Sequence, residues 1–472
     1  MKLRILPLAA SLVWAASFLY AEPAPVAEVT KEAPPAQPAA PAETPAEPAK
    51  PAAEATKPAE EAAKPADLPP PKPLGDPVKN GLAWLAKVQN SDGGWGQGGG
   101  WRTNLQTEGG GGRVEGDNIP DPSDIGNTAI ALQAFLRAGI KLDTGEHSQV
   151  ATKAAAFILT QLEADNEDTL FVTKVRDTQL QSKIGRYVDT FLAAQILSDL
   201  KGRFPNAADE ERRSKLLDKV VAKIQKHQKE DGAFAGNSGW AATLSQGICS
   251  RALNTAYAAG AKVDLAALEK DHAQNATGLD RATGAVAASG GGVGGGAGSG
   301  VGDAGVEIYR YASKLGGMTS FYQNNAGRRV ELEKTVQAPA STPEQKQQAQ
   351  DEISKIERAD ADQKVLLQQV AGRAAEKGFV SGFGNNGGEE FISYMNIGEA
   401  LRNKGGDEWS KWDDSMTKTL HGAQNADGSW AGHHCITGRT FCTASALMVL
   451  MTDRAPAPVV VKNEAEKDPA AK

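Results

Sequence analysis

Two kinds of apolar pattern alternate along the chain from about residue 76. The first is one-sided: Val78 to Val88 keeps Leu82, Leu85 and Val88 on one face, Leu216 to His227 does the same with Leu217, Val220, Val221 and Ile224, and Trp409 to Ala423 forms a third such stretch. Apolar residues three and four apart with polar ones between predict helices that bury a single stripe. The second kind is Ala-rich and apolar on most faces. Ala131 to Asp143 aligns without gaps on Ala252 to Asp264, and the run Thr128 to Leu132 recurs as Thr443 to Leu447. A helix apolar on most of its surface must be covered on most sides, and Gly139 and Gly260 stand where a glycine closes a helix. The alternation predicts a repeat of helical pairs in an all-α fold.

A turn motif accompanies the one-sided helices. Gln89, Asp92, Gly93 and Trp95 share their spacing with Gln228, Asp231, Gly232 and Phe234, and again with Gln424, Asp427, Gly428 and Trp430. Each copy reads Q-x-x-D-G-x-aromatic, and Asp-Gly supplies the reversal. These motifs, with Gly405-Gly406-Asp407-Glu408-Trp409-Ser-Lys-Trp412 running into the third copy, resemble the prenyltransferase and squalene-cyclase repeat superfamily over roughly residues 76 to 454. The resemblance implies an α/α toroid, inner helices around a central cavity and outer helices outside them. It also implies that the Gln and aromatic residues are structural, tying one layer of helices to the next.

Outside the repeats the composition changes. Met1 to Ala21 has Lys2 and Arg4 ahead of an apolar run, the layout of a secretory signal, with an uncleaved membrane anchor as the alternative. Residues 22–77 are mainly Ala, Pro, Glu and Lys and hold 16 of the chain's 25 prolines. Such a segment cannot bury enough apolar surface to order itself and predicts an extended, disordered tether. The tail from 455 to 472 is alike. Within the toroid of residues 78–454, two segments look inserted: the Gly-rich loop 289–302 and a charged helical arm, 344–376, which is either solvated or a partner-binding coiled coil. The protein is expected to be exported, to the periplasm or cell envelope, with any membrane attachment through its first segment.

Charge and chemistry narrow the function. With 58 acidic and 51 basic residues the net charge is −7, which gives no footprint for nucleic acid. Cyclisation in the resembled superfamily needs a D-x-D-D acid and an aromatic cavity, but Asp360-Ala-Asp362-Gln363 lacks the last acid. Asp189 is the one acid in an apolar helix that could face a cavity, and so the candidate catalytic residue; a core-edge role is the alternative. The zinc set that prenyl transfer implies is broken, with Gly247 where an Asp belongs before Cys249 and no His between Arg439 and Cys442. No cofactor is expected. Cys435 and Cys442 in an exported protein point first to a disulfide, with free thiols, or a metal site of His433, His434 and Cys435, as alternatives. With the known catalytic motifs missing, the expectation is a non-catalytic binding or scaffold protein holding an unknown protein or lipid ligand. The alternatives are a lipid or terpenoid enzyme with unrecognised acids, and a polysaccharide-processing enzyme, which would cluster Tyr, His, Arg or paired carboxylates at a cavity rim.

Overall fold

Six long helices carry the apolar-all-round pattern or its equivalent, and they close on one another. In the computed structural model, which describes residues 70–101, 112–116, 119, 121–288, 302–384 and 386–456, the helices are α1 (Asp76–Lys87), α2 (Ile125–Arg137), α3 (Ser148–Ala164), α4 (Gln179–Lys183), α5 (Val188–Asp199), α6 (Ala207–His227), α7 (Ala242–Ala258), α8 (Leu265–Ala276), α9 (Glu307–Gln337), α10 (Pro343–Arg373), α11 (Lys377–Val380), α12 (Gly388–Lys404), α13 (Asp407–Ala423) and α14 (Arg439–Leu450). A short antiparallel ribbon, β1 (Gly100–Trp101) with β2 (Arg113–Val114), lies between α1 and α2. Helices α2, α5, α7, α9, α12 and α14 each pack on the next, and α14 packs back on α2. That is a closed inner ring. Helices α1, α3, α6, α8, α10 and α13 pack outside it. The fold is an α/α toroid of helical pairs, as the repeats predict. The proposed signal, most of the tether, nearly all of the Gly-rich loop and the tail beyond 456 lie outside the described residues.

The turn motif does the same work in each copy. Gly93, Gly232 and Gly428 adopt φ of 90°, 78° and 92°, a left-handed conformation that disfavours any side chain. The Asp of each copy accepts from the backbone N–H two residues on: Gly94, Ala233 and Ser429 at 3.0, 3.0 and 3.1 Å. The Gln then reaches to the next outer helix, Gln89 Nε2 donating to Val150 O, Gln228 to Ala267 O and Gln424 to Pro77 O. Trp95 Nε1 donates to Leu85 O and Trp430 Nε1 to Leu420 O, at 2.9 and 2.8 Å, so each indole is pinned to its own outer helix. Their backbone N–H groups donate to Thr128 and Thr443, which explains why that Thr recurs in the sequence. Phe234 fills the same place without a side-chain hydrogen bond.

A fourth turn matches these and escapes the sequence pattern. A Cβ on Gly93, Gly232 or Gly428 would strike the carbonyl of Lys153, Lys270 or Asn80 on the next outer helix, and one on Gly284, at φ 74°, would strike Val365 O of α10 in the same manner. Asp280 accepts from Ala282 N, but it stands four residues before the glycine instead of directly before it, Thr277 takes the place of the Gln, and Val286 stands in for the aromatic. This correspondence locates the arm. Val365 lies 22 residues beyond Pro343, whereas Lys153 and Lys270 lie five beyond Ser148 and Leu265. The first ~17 residues of α10, roughly 25 Å of helix, therefore run past the end of an ordinary outer helix, paired with the equally extended end of α9. The arm is thus half of a helical hairpin; Ile353, Ile356, Leu367 and Val370 are buried rather than solvated, and Arg328 pairs with Glu352 at 2.6 Å.

Gly428→Ala should destabilise the fold by about 2 kcal/mol or more, because a Cβ there is both strained and 2.7 Å from Asn80 O. Trp430→Phe, which loses the bond to Leu420 O, should cost on the order of 1–2 kcal/mol. Equilibrium urea unfolding measures both, and equal stability of the wild type and the Gly428 variant would remove the role assigned to the turn.

Candidate active site at the loop end of the inner ring

Because each inner helix follows an outer one, through the turn motif before α2, α7 and α14 and the related turn before α9, the amino-terminal ends of the inner helices share one end of the toroid with the longer loops. Three inner helices place carboxylates there. Asp124 caps α2, its Oδ1 accepting from Asn127 N at 2.7 Å. Asp189, in the first turn of α5, accepts from Gly126 N at Oδ1 and from Gln181 Nε2 at Oδ2, both at 2.9 Å. Glu389 and Glu390 open α12 and are wholly buried.

Burial raises both members of the first pair, Asp124 to about 8, with the neighbouring Asp189 adding to it. Yet both oxygens of Asp189 are engaged, on α2 and α4, and the side chain is buried. Its two oxygens tie the starts of α2 and α5 to α4.

The second pair is different, because two of its four oxygens lack a hydrogen-bond partner. Glu389 Oε2 accepts from Ile436 N at 3.2 Å while Oε1 has none. Glu390 Oε1 accepts from Tyr309 Oη and from Phe383 N, and its Oε2 lies 3.5 Å from His434 Nε2 without a hydrogen bond. Burial, and after it the charge of Glu390, pushes Glu389 up to about 8. The same burial lifts the Tyr309 phenol and depresses the His434 imidazole. A group of unlike acids, bases and hydroxyls thus sits in one dry place, an arrangement that acid–base chemistry uses.

The chain folds tightly around this pair because residues 381–388 are rich in glycine. Gly382 has φ 55°, and a Cβ on Gly382 or Gly387 would come within 2.7 Å of Glu390's carboxylate oxygens. The loop also presents Phe383, 55% exposed. Its ring meets His434 at 5.0 Å and Trp240 at 6.2 Å between centroids, and Lys183 Nζ lies 5.8 Å from the Trp240 ring. An aromatic lip over paired carboxylates offers a flat apolar face beside hydrogen-bonding groups.

None of the twelve motif residues joins this site. The cysteines are free, which corrects the disulfide: Cys442 is buried in α14 and donates to Ile436 O at 3.3 Å, while Cys435 sits on the loop at φ 52°. Burial, then Glu389, pushes the Cys435 thiol up to about 12. His433, His434 and Cys435 do not converge, and no group of three or more potential ligands comes together among the described residues. Sequence reasoning missed Glu389, Glu390 and Tyr309; the one available signal was the adjacent Glu-Glu pair opening an apolar stretch straight after Gly387-Gly388.

No protein-family profile matches the chain, and no curated protein matches it. Among solved structures it is similar to an inactive variant of the GH76A α-1,6-mannanase of Salegentibacter in complex with α-1,6-mannotetrose, at 11% identity over 80% of this chain and 98% of that one, with a TM-score of 0.48. The structure of that mannanase itself gives 10%, 80%, 98% and 0.46. The type II terpene cyclase MstE from Scytonema follows at 11%, 80%, 97% and 0.29. These are likenesses of fold alone. It is the wholly buried Glu389–Glu390 pair, with an oxygen of each lacking a hydrogen-bond partner, that speaks against the expected non-catalytic scaffold.

Glu389 makes stability depend on pH. Its folded value of about 8 exceeds the ordinary 4.5, so the folded state holds a proton that the unfolded chain releases in between, and its stabilising effect is lost as pH rises from about 4.5 to about 8. Glu389→Gln should leave the melting temperature near wild type at pH 5 and raise it at pH 8.5, by the equivalent of a few kcal/mol. Parallel melting curves for the two proteins across that range would disprove the assignment.

Proposed function

We propose that the protein is an exported polysaccharide-processing enzyme that cleaves glycosidic bonds at the Glu389–Glu390 site. The observation that carries this reading is the pair of fully buried, adjacent carboxylates with unpartnered oxygens beneath the exposed Phe383. Glycoside cleavage needs one carboxyl that gives a proton to the departing oxygen and another that acts as base or nucleophile. Glu389, held protonated to about pH 8, suits the acid. Glu390, an acceptor of bonds from Tyr309 and Phe383 N, suits the second role. Phe383 and Trp240 supply ring faces for a sugar's apolar face. His434 and Phe383 must move aside for the substrate to reach the carboxylates, and the glycine-rich loop that carries Phe383 suits that motion. Export follows from the signal-like first segment; no described helix is long and apolar enough to cross a membrane. The repeats are of the prenyltransferase and squalene-cyclase type, supported by the threefold motif and its repeated hydrogen bonds, without the chemistry of those enzymes.

The test is release of new reducing ends from a panel of neutral and acidic polysaccharides by the full chain. Activity should fall as pH rises through about 8. Glu389→Gln should lower kcat by roughly 10²–10⁴-fold, and Phe383→Ala should act mainly on KM. An active Glu389→Gln variant, or no cleavage of any polymer in the panel, would sink the proposal.

A further inference from the structure

The inner ring also encloses a chamber, which begins at Ile392, one turn beyond Glu389, and runs along α12 to Asn403. It is lined by the middle and carboxy-terminal parts of α2, α5, α7, α12 and α14 and by the first half of α9, and has a volume of about 160 Å³, ample for several waters or a small polar molecule. Its walls carry four arginines, Arg137, Arg203, Arg251 and Arg454, against two carboxyl groups, Asp199 and Glu399. Aromatic side chains are missing from the lining.

Glu399 organises the chamber. From α12 it grips Arg137 of α2 at 2.7 Å and Arg251 of α7 at 2.6 Å, one guanidinium on each oxygen. Burial alone would raise its carboxyl, but Arg251 and Arg137 more than offset this and hold it low. Two fixed guanidiniums against one carboxylate leave a positive surplus. Arg251 Nη2 spends one further donor on Asn396 Oδ1 at 3.0 Å, and Arg137 Nη1 reaches Met448 O at 3.3 Å. A planar fork has five N–H donors, so among the described residues each arginine retains donors without an acceptor. Asp199 is the second carboxyl of the lining: burial raises it, while the N–H that Gln133 Nε2 donates at 2.9 Å and the charges of Arg137, Arg203 and Arg251 favour its ionised form. Beside these stand neutral hydrogen-bonding groups: Gln195, Gln323 and Asn403, whose buried Oδ1 has no partner.

We propose that this chamber is a binding site for a small hydroxy-carboxylate of the sugar-acid class. The carboxylate would meet the free donors of Arg137 and Arg251, and the hydroxyls would bond to the amides, Asn403 Oδ1 accepting one. A carboxylate's two coplanar oxygens match the planar forks of Arg137 and Arg251, which flank Glu399. A phosphate dianion would crowd Glu399, and an apolar chain would leave the arginines unpaired. The site stands independently of the chemistry assigned to Glu389 and Glu390.

Isothermal titration of the full chain at low salt and pH 7 with glucuronate, glucose and inorganic phosphate tests this. Glucuronate should bind at least tenfold more tightly than either of the others, and Glu389→Gln should leave its affinity unchanged. Arg251→Lys, which keeps the charge opposite Glu399 but loses the fork, should weaken glucuronate at least tenfold. Should that variant fail to fold by its melting curve, Arg203→Gln at the exposed rim should weaken binding about threefold or more. Glucuronate that binds no better than glucose or phosphate, that shows no binding below ~10 mM, that loses affinity in Glu389→Gln, or that is untouched by the folded arginine variants would overturn the proposal.

Discussion

Everything in this molecule depends on ring closure. A row of helical pairs leaves an inner helix uncovered at each end, and burying both ends requires the last pair to pack on the first. Here α14 lies against α2 and α1, and Gln424 of the last turn donates to Pro77 O in the first turn of α1. Gly81 of α1 is wedged between Leu447 and Trp430, where a Cβ would come within 2.9 Å of each. The closing contact thus reuses the device that joins neighbouring pairs, a Gln to the next outer helix and an indole to its own. Once closed, the ring has two ends and one axis, and polar groups that point inward have nowhere to go but toward each other.

The two ends then acquire different chemistry. At the loop end the starts of α2, α5 and α12 bring buried acids together, with backbone N–H groups of Gly126, Asn127 and Ile436 answering some of them. With Gln181 Nε2 added, both oxygens of Asp189 are met, whereas Glu389 is met at Oε2 alone. At the far end the guanidiniums dominate, and Glu399 fixes them by bridging α2, α7 and α12 across the axis. A buried bridge of this kind gives little net stability. Its value lies in position, since it holds three helices of the ring in one register and leaves donors facing an open chamber.

The fold was legible in the sequence because the turn motif is local. Gln, Asp, Gly and Trp fall within seven consecutive residues, so spacing alone exposes them at 89–95 and 424–430. The fourth turn at Asp280–Val286 keeps the glycine and the aspartate but not the ring, and only the shared approach of Gly284 to Val365 O reveals it. The sequence leaves the arm at 344–376 open between a solvated helix and a coiled coil, because polar Asp360 and Gln363 fall among its apolar positions; in the fold Gln363 reaches Thr319 and Asp360 reaches Arg329 of α9.

The sites were far less legible, and the reason is physical. Glu390 meets Tyr309, 81 residues away, and Glu399 meets Arg251 and Arg137 from two other helices. No spacing rule links such residues; the ring does. Asp189 stood out because it is a lone acid in an apolar helix, and that trait marks burial: the α2 start and Gln181 of α4 occupy both its oxygens. Glu389 shares the burial but keeps one oxygen without a partner. In an interior where unpaired polar atoms are costly, burial alone therefore does not separate the two acids, and the partners of each oxygen, which come from distant parts of the chain, do.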